Sequence, residues 1–591
     1  MCGFLVRFLP KCSTFDNSYL ASCLERISHR GPDQKSIWKN ENIWMGHQRL
    51  ILIGGEDYGR QPLVSPNGNA LVYNGEIYNC QELQSKYLSS NFLSDSEILF
   101  ALLNKEGESI LPELRGMFSF VYYRHLEKQV WLVRDPFGMK PLYYRSTNEG
   151  WEFSSELKAF DDLYPDQIQS EIFHYHMAPL PGYSLYENVF EVRPGSIKII
   201  GSATETSKQY VTLGSVFDSA NSIRSDSLNR SVEQLYFNDL FDKTVRQHLF
   251  ADIPPGMILS GGIDSGCIAM SLADSSVKAY TMSVSGMDES SIAASLVDAL
   301  DINHKIFAYD LSESIEDVLN AMDGPIGDAS FFPTWNLFNH LKNIEKSVLG
   351  GDGGDELFYG YPTFEIEALR QKLPSFIFSL GRKFGSNFGG YSKERVNLLE
   401  KLLRFSWGDS DFTMFRQMQY MAAKPMDNLS PRALELVLNN LQQTIELEEI
   451  DSNCQWSQVF TYYFRYYLAT QVLTKSDRAS MSHSIELRCP YLDWELFSNT
   501  FRFPRNTFPF LSGRKQVLRD YYNSHRKLKN PSKRGFSAPL YNILPKLEAV
   551  VANQRDRGIR TNDELLENPQ VGLHARYLEL VYEYFHDSID A

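Results

Sequence analysis

The chain has 591 residues, 43% hydrophobic and 22% charged, with a formal net charge of −15. That length exceeds one ordinary core and predicts at least two domains. The acidic balance excludes a nucleic-acid-binding surface as the main function, which would need clustered Lys and Arg, so no nucleic-acid partner is expected.

Seven cysteines, at positions 2, 12, 23, 80, 267, 454 and 489, are sparse and lack metal-ligand spacing, so neither a disulfide framework nor a zinc site is expected and a reducing cytoplasm fits best. The opening has no basic region followed by a long apolar core, and other apolar stretches stop short of a bilayer span, so neither export nor a membrane partner is expected. The Ser/Asn/Thr-rich stretch 202–231 reads as a linker and divides the chain into domains 1–205 and 206–591.

The second residue is Cys2. Removal of Met1 would place a thiol of pKa about 8.5 beside its own α-amine of about 7.7–8.0, a nucleophile with a built-in base. Short β-forming runs follow at 43–47, 70–73, 118–123 and 130–133, predicting a layered β-rich domain. Between them lie polar clusters: His29 to Asp33, Gln48-Arg49-Leu50, Tyr73 to Asn79 and Ser94 to Glu97. Asn74-Gly75 is also the usual signal of a tight hairpin turn. Its functional reading is an amide and a glycine N–H that together hold the oxyanion made when Cys2 attacks a carbonyl. Arg49 could clamp a carboxylate, while Glu76 and Asp95 could accept from an ammonium group.

These motifs, with Arg134 to Tyr144, resemble the class II glutamine amidotransferase domain, an N-terminal-nucleophile (Ntn) hydrolase with an αββα sandwich fold. The resemblance implies that Cys2 releases ammonia from L-glutamine through a thioester. It further implies that Asn74 and Gly75 form the oxyanion hole, and that Arg49, Leu50, Ile51, Leu52, Ile53, Glu76 and Asp95 hold glutamine. Arg134 to Tyr144 and Phe153 to Ala159 would face the second domain and shape an ammonia passage.

In the second segment, Pro255 to Leu259 reads as a buried strand, Ser260-Gly261-Gly262-Ile263-Asp264-Ser265 as a loop and 266–273 as a helix, the geometry of a phosphate cradle. No Gly-Lys-Ser/Thr ending follows, which argues against a Walker loop. The run 278–284 reads as the next parallel strand of a doubly wound sheet, and 347–349 as another. The latter leads into Gly350 to Tyr361, a loop whose glycines interleave with the three acids Asp352, Asp355 and Glu356, enough carboxylate to hold Mg²⁺ carrying pyrophosphate. Basic residues in the clusters 473–481, 486–493 and 513–519 sit on mostly helical sequence, where lone Lys and Arg usually face solvent.

Ser260 to Ser265 resembles the pyrophosphate loop of ATP pyrophosphatases, and all clusters together resemble glutamine-dependent asparagine synthetase. The implied fold of this half is a doubly wound parallel α/β sheet with added helices, and the implied cofactors are ATP and Mg²⁺. Leu259, Ser260, Gly261, Gly262, Asp264, Ser265, Met282, Gly350 and Gly351 would bind the nucleotide, and Asp264 and Asp355 the metal. Lys515 would stabilise charge during adenylation, and Asp352, where many synthetases carry Glu, would accept a proton from ammonia. The implied acceptor is L-aspartate through a β-aspartyl-AMP intermediate, with a sugar uronic acid, a peptide or a natural-product precursor as alternatives, and a homodimer as an assembly the family allows. An intact Cys2 site weighs against ring-closing relatives, which need no ammonia.

Overall fold

Alternating apolar side chains set the layers of the first domain. In the strand Cys2–Phe8, Phe4, Val6 and Phe8 pack into the core between two sheets, while Leu5 joins Leu20, Leu24, Ile27 and Trp44 on the opposite face. In the strand Ala70–Ile77, Ala70 and Val72 face the same inter-sheet core, whereas Leu71, Tyr73 and Ile77 pack against Ile98, Leu99 and Leu102 of the helix Asp95–Glu106. Period-two burial on both faces yields an αββα sandwich of two six-stranded antiparallel sheets, the layering that the resemblance in sequence predicts. The computed structural model describes residues 2–11, 14–202, 204–222, 230–284, 290–310, 314–364, 367, 413–421, 428–501, 514–525, 540–555 and 573–587.

The four expected strand runs lie inside the longer strands Ile43–Arg49, Ala70–Ile77, Gly116–Arg124 and Gln129–Arg134. Asn74 and Gly75 are therefore mid-strand, opposite Ser119 and Phe118, and not at a hairpin turn. The expected linker also contains regular structure. Glu205–Gln209 pairs with Ser196–Ile200 as a solvent-facing edge strand, and Leu213–Ser222 is a helix. A polar edge strand resembles a linker in composition because its side chains face water and discourage further pairing.

The second domain carries five parallel strands in the spatial order His304–Ala308, Ala279–Ser283, Gly256–Ile258, Ser347–Leu349, Glu486–Arg488. The connections reverse direction between Gly256–Ile258 and Ser347–Leu349, and ligands of doubly wound sheets bind in that crevice. Both glycine loops, 260–265 and 350–355, leave the carboxyl ends of these two strands. The helix after the first loop spans Ile263–Ser271, starting earlier than its composition suggests and taking Asp264 and Ser265 into its first turn. Tyr463–Val472 is a π-helix joining the helices Gln455–Tyr462 and Leu473–Met481. Among the described residues, no helix is long and apolar enough to cross a membrane.

The domains meet through buried charge. Arg30, 0% exposed, forks onto Asp477 at 2.8 and 3.0 Å, reaches Glu156 at 2.7 Å and donates from Nε to the Cys2 carbonyl at 3.1 Å. Arg478 extends the cluster to Asp477 at 2.6 Å, Asp323 at 3.2 Å and the Tyr143 hydroxyl at 3.1 Å. Arg488, also fully buried, pairs with Glu486 and lies 3.4 Å from Glu76 of the first domain. Arg478 and Arg488, expected at a solvent face, are thus interior: acids from both halves of the chain hold Arg488, whereas Arg478 meets acids of the second half and a tyrosine hydroxyl of the first.

Removing one member of a buried pair strands the other charge, at a cost of about 3–5 kcal/mol. Arg30→Met should therefore lower the urea stability of the chain by about 3 kcal/mol or more; an unchanged unfolding curve contradicts the role. Burial also holds His47 down to about 3 and His176, His248 and His483 down to about 4. The unfolded chain, with histidines near 6.5, binds more protons below that pH, so stability is lost as pH falls from 6.5 toward 4. The thermal midpoint should decline steadily over that window, and a flat profile rules the contribution out.

Candidate active sites

Cys2 opens the first strand and is 7% exposed, with Arg49 directly across the pair in register. Its backbone nitrogen donates to Asn74 Oδ1 at 3.0 Å. Because Asn74 shares the inward face of Ala70 and Val72, its side chain necessarily points toward the sheet that bears Cys2. Asn74 Nδ2 is buried without a hydrogen-bond partner among the described residues, a donor left for an incoming oxygen. Gly75 follows where a Cβ would come within 2.1 Å of the Met117 carbonyl, so no larger residue fits. Burial pushes the Cys2 thiol up, while the amino terminus, the Leu50 N–H and Arg49 pull it down.

One cavity of about 350 Å³ of empty space brings together Cys2, Arg49, Leu50, Leu52, Ile53, Gly75, Glu76 and Asp95. Ile51 is not among its lining residues; its N–H donates to Asp33 at 2.8 Å, which is in turn paired to Lys346 of the second domain at 2.8 Å. The Arg49 guanidinium is braced by Gln34 at 2.8 Å and by the Ile53 and Tyr58 carbonyls at 3.1 and 2.6 Å. Asp95 accepts from the Tyr73 hydroxyl at 2.8 Å and the Ile77 N–H at 3.2 Å. Burial raises both acids; Glu486 adds to the effect at Glu76, with Arg488 opposing.

The second site forms around Lys515, whose Nζ lies 2.5 Å from both Asp264 and Asp355. Burial alone would lower this lysine, but the two carboxylates outweigh it and hold it above the ordinary value. Gly360 makes room for the contact, because a Cβ there would lie 1.7 Å from Asp355 and 2.5 Å from Lys515 Cε. Ser265 Oγ closes the first glycine loop by accepting from the Ser260 N–H at 3.1 Å, and Ser260 Oγ accepts from the Gly262 N–H at 3.1 Å. The helix Ile263–Ser271 begins at Gly262 with no side-chain cap, leaving its first N–H groups for an anion. Leu259, just past the strand Gly256–Ile258, and Met282, on the strand Ala279–Ser283, are buried beside that loop, and Gly350 donates its N–H to the Arg488 carbonyl at 2.8 Å. Gly351 packs against Asp264, where a Cβ would sit 3.3 Å from the aspartate's own.

Asp352 accepts from Ser476 Oγ at 2.6 Å. Nearby, Glu356 accepts from the Tyr361 hydroxyl at 2.7 Å and is raised to about 7 by burial and by Asp355. Lys475 bridges Asp328 at 3.1 Å and Ser330 at 3.0 Å, lowering Asp328 to about 2 against the effect of burial. Sequence reasoning gave no part to Arg30, Asp477, Ser476, Tyr361 or Lys475. Their motifs were visible, but nothing local distinguishes an interior arginine from one on a wet helix face.

Residues 1–211 match a family profile described as glutamine amidotransferase domain, and residues 236–579 one described as asparagine synthase. A glutamine-hydrolyzing asparagine synthetase 1 of Bacillus subtilis (strain 168) is 27% identical over 531 residues, covering 85% of this chain and 81% of that protein. A putative glutamine-hydrolyzing asparagine synthetase 2 of Methanocaldococcus jannaschii is 28% identical over 398 residues, covering 60% of this chain and 76% of its own length. Amidase chry2 of Gibberella zeae is 27% identical over 536 residues, covering 81% and 77%. With the synthase profile alone spanning more than half of its length, the chain belongs to the asparagine synthase family, as an ATP-dependent ligase that carries a glutamine amidotransferase domain.

Proposed function

We propose that the two sites work in series to convert a carboxylate into its amide, with glutamine as nitrogen donor and L-aspartate as the acceptor to which the names of the synthetase relatives point. The observation that supports serial action most is Arg30, bonded at once to the Cys2 carbonyl and to Asp477, the neighbour of the Ser476 that holds Asp352. A nitrogen released at the first site has a short, buried interface between it and the second. Enclosure matters because ammonia in neutral water is mostly ammonium and lacks the lone pair needed for attack.

At the first site, loss of Met1 exposes the α-amine, which takes the Cys2 proton. The thiolate attacks the glutamine carboxamide carbon; Asn74 Nδ2 and the Gly75 N–H hold the oxyanion. Ammonia leaves, and water releases glutamate from the thioester. Arg49 would bind the α-carboxylate of glutamine, Glu76 and Asp95 its ammonium, with Leu50 to Ile53 forming the wall.

At the second site, the loop 260–265 and the following helix start would cradle the phosphates, with Leu259, Met282, Gly350 and Gly351 against the nucleoside. A carboxylate oxygen bonds to the α-phosphorus and pyrophosphate departs, Lys515 offsetting the developing charge. Ammonia then attacks the acyl carbon, AMP leaves, and Asp352 takes the surplus proton. One glutamine, one ATP, one carboxylate and one water become glutamate, AMP, pyrophosphate and the amide. Asp264 and Asp355, two carboxylates facing one cation position, fit a Mg²⁺ ion and would hold it there, where it would shield the phosphate charge.

Cys2→Ala should abolish glutamine-dependent amide formation and leave the ammonia-dependent reaction within about twofold, read by pyrophosphate release. Equal loss of both reactions contradicts two separate sites.

A further inference from the structure

Behind the wall of the Cys2 pocket stand groups from the second domain. Resting on the reading of that pocket as a glutamine site, we propose that Asp252 and Met481 are positioning residues of the first reaction, holding the segment 50–55 so that Arg49 stays aimed at the carboxylate of glutamine.

Residues 50–62 join the strand Ile43–Arg49 to the strand Leu63–Val64 without regular structure. Irregular connections longer than about a dozen residues are uncommon and usually functional. Gly54 and Gly55 have φ of 81° and 58°, a left-handed turn at which the chain doubles back. The second half of the connection is tied to its own domain, the Glu56 carbonyl accepting from Gln34 Nε2 at 3.1 Å and the Gly59 N–H donating to Glu97 at 3.4 Å. The first half leans on the other domain. The Asp252 N–H donates to the Leu52 carbonyl at 3.0 Å, and the Asp252 carboxylate accepts from the Gly55 N–H at 3.2 Å. Leu50, Leu52 and Ile53 form an apolar cluster with Met481, which is fully buried. Lys346 adds a tie through Asp33, which accepts from it and from the Ile51 N–H, both at 2.8 Å.

The two anchors are themselves fixed. Arg488 Nη1 donates to the His248 and Phe250 carbonyls at 2.7 and 2.8 Å, setting the backbone just ahead of Asp252. Met481 ends the helix Leu473–Met481, which Asp477 ties to Arg30 and so to the Cys2 carbonyl. Their effect reaches the substrate through Arg49, whose guanidinium donates to the Ile53 carbonyl inside the held segment and to the Tyr58 carbonyl beyond it. A segment that drifts carries the Ile53 oxygen away and frees the guanidinium to turn. Neither Asp252 nor Met481 lines the cavity, so losing either weakens glutamine binding without touching the bonds that break. Asp252 acts through an acceptor oxygen offered to a neutral N–H, a task an amide oxygen performs equally well.

The test is steady-state glutamine hydrolysis by the full chain, with the ammonia-dependent reaction followed in parallel by pyrophosphate release. Asp252 is exposed, so its truncation leaves the fold intact. Asp252→Ala should raise the glutamine KM about fivefold with kcat within about twofold, and Asp252→Asn should stay within about twofold of the parent chain in both. Met481→Ala should raise KM about tenfold, and Met481→Leu, which refills the cluster, should restore it. Amide exchange across 50–55 should quicken in both alanine variants while that of the strand Ala70–Ile77 does not, and the ammonia-dependent rate should hold. A glutamine KM unmoved in Asp252→Ala, an Asn variant as impaired as the Ala, or equal loss of the glutamine- and ammonia-dependent rates in Asp252→Ala overturns the inference and leaves the glutamine reading standing. Glutamine hydrolysis that persists in Cys2→Ala, or its absence from the parent chain, defeats that reading itself and the inference with it.

Discussion

The bidentate contact between Arg30 and Asp477 is the constraint on which the arrangement of both sites depends. Arg30 is fully buried and a guanidinium cannot lose its proton, so it must find carboxylates, and it finds one from each half of the chain. The same side chain fixes the backbone of Cys2, while the helix that supplies Asp477 also supplies Ser476 to the acidic loop. Such pairs add little net stability over an apolar contact of equal volume, because desolvation offsets most of the attraction. What they enforce is registration: a displaced interface would part Arg30 from Asp477 and Arg488 from Glu76 in the interior.

The two sites handle charge in opposite ways. Around Cys2, burial raises Glu76 and Asp95, and a cation arriving beside them would favour their ionised form. Around Lys515, two carboxylates already enclose one ammonium, a compact arrangement that phosphate and a divalent ion would have to rearrange. On the proposed reading the first site accepts a whole zwitterion, and the second exchanges its ion-pair partners as bonds to phosphorus form and break.

Much of this was legible in sequence because it is local. Short β-forming runs located four of the sandwich strands, and the strand, glycine loop and helix of the second half stand where their residues predicted, with the acidic loop beside them. Asn74-Gly75 was ambiguous because a hairpin turn and a mid-strand oxyanion site use the same two residues, and only the eight-residue pairing with Gly116–Arg124 separates them. The polar stretch after residue 202 misled because an exposed edge strand and a linker share a composition. The interior arginines were unreadable for a deeper reason: Asp477 lies hundreds of residues from Arg30, as Glu76 does from Arg488, and burial of a charge is a property of the assembled interface.

The edge strand Glu486–Arg488 ends the second sheet against Glu76 of the first domain. Its arginine acquires part of its countercharge across that boundary, so the sheet is electrically complete only when the amidotransferase half covers it. Severing the polypeptide in the 223–229 stretch would thus produce two fragments that are each incomplete, bound to reassociate or to aggregate. The fusion of both activities in one translated product is, on this view, a guarantee of stoichiometry for two surfaces that do not tolerate water alone.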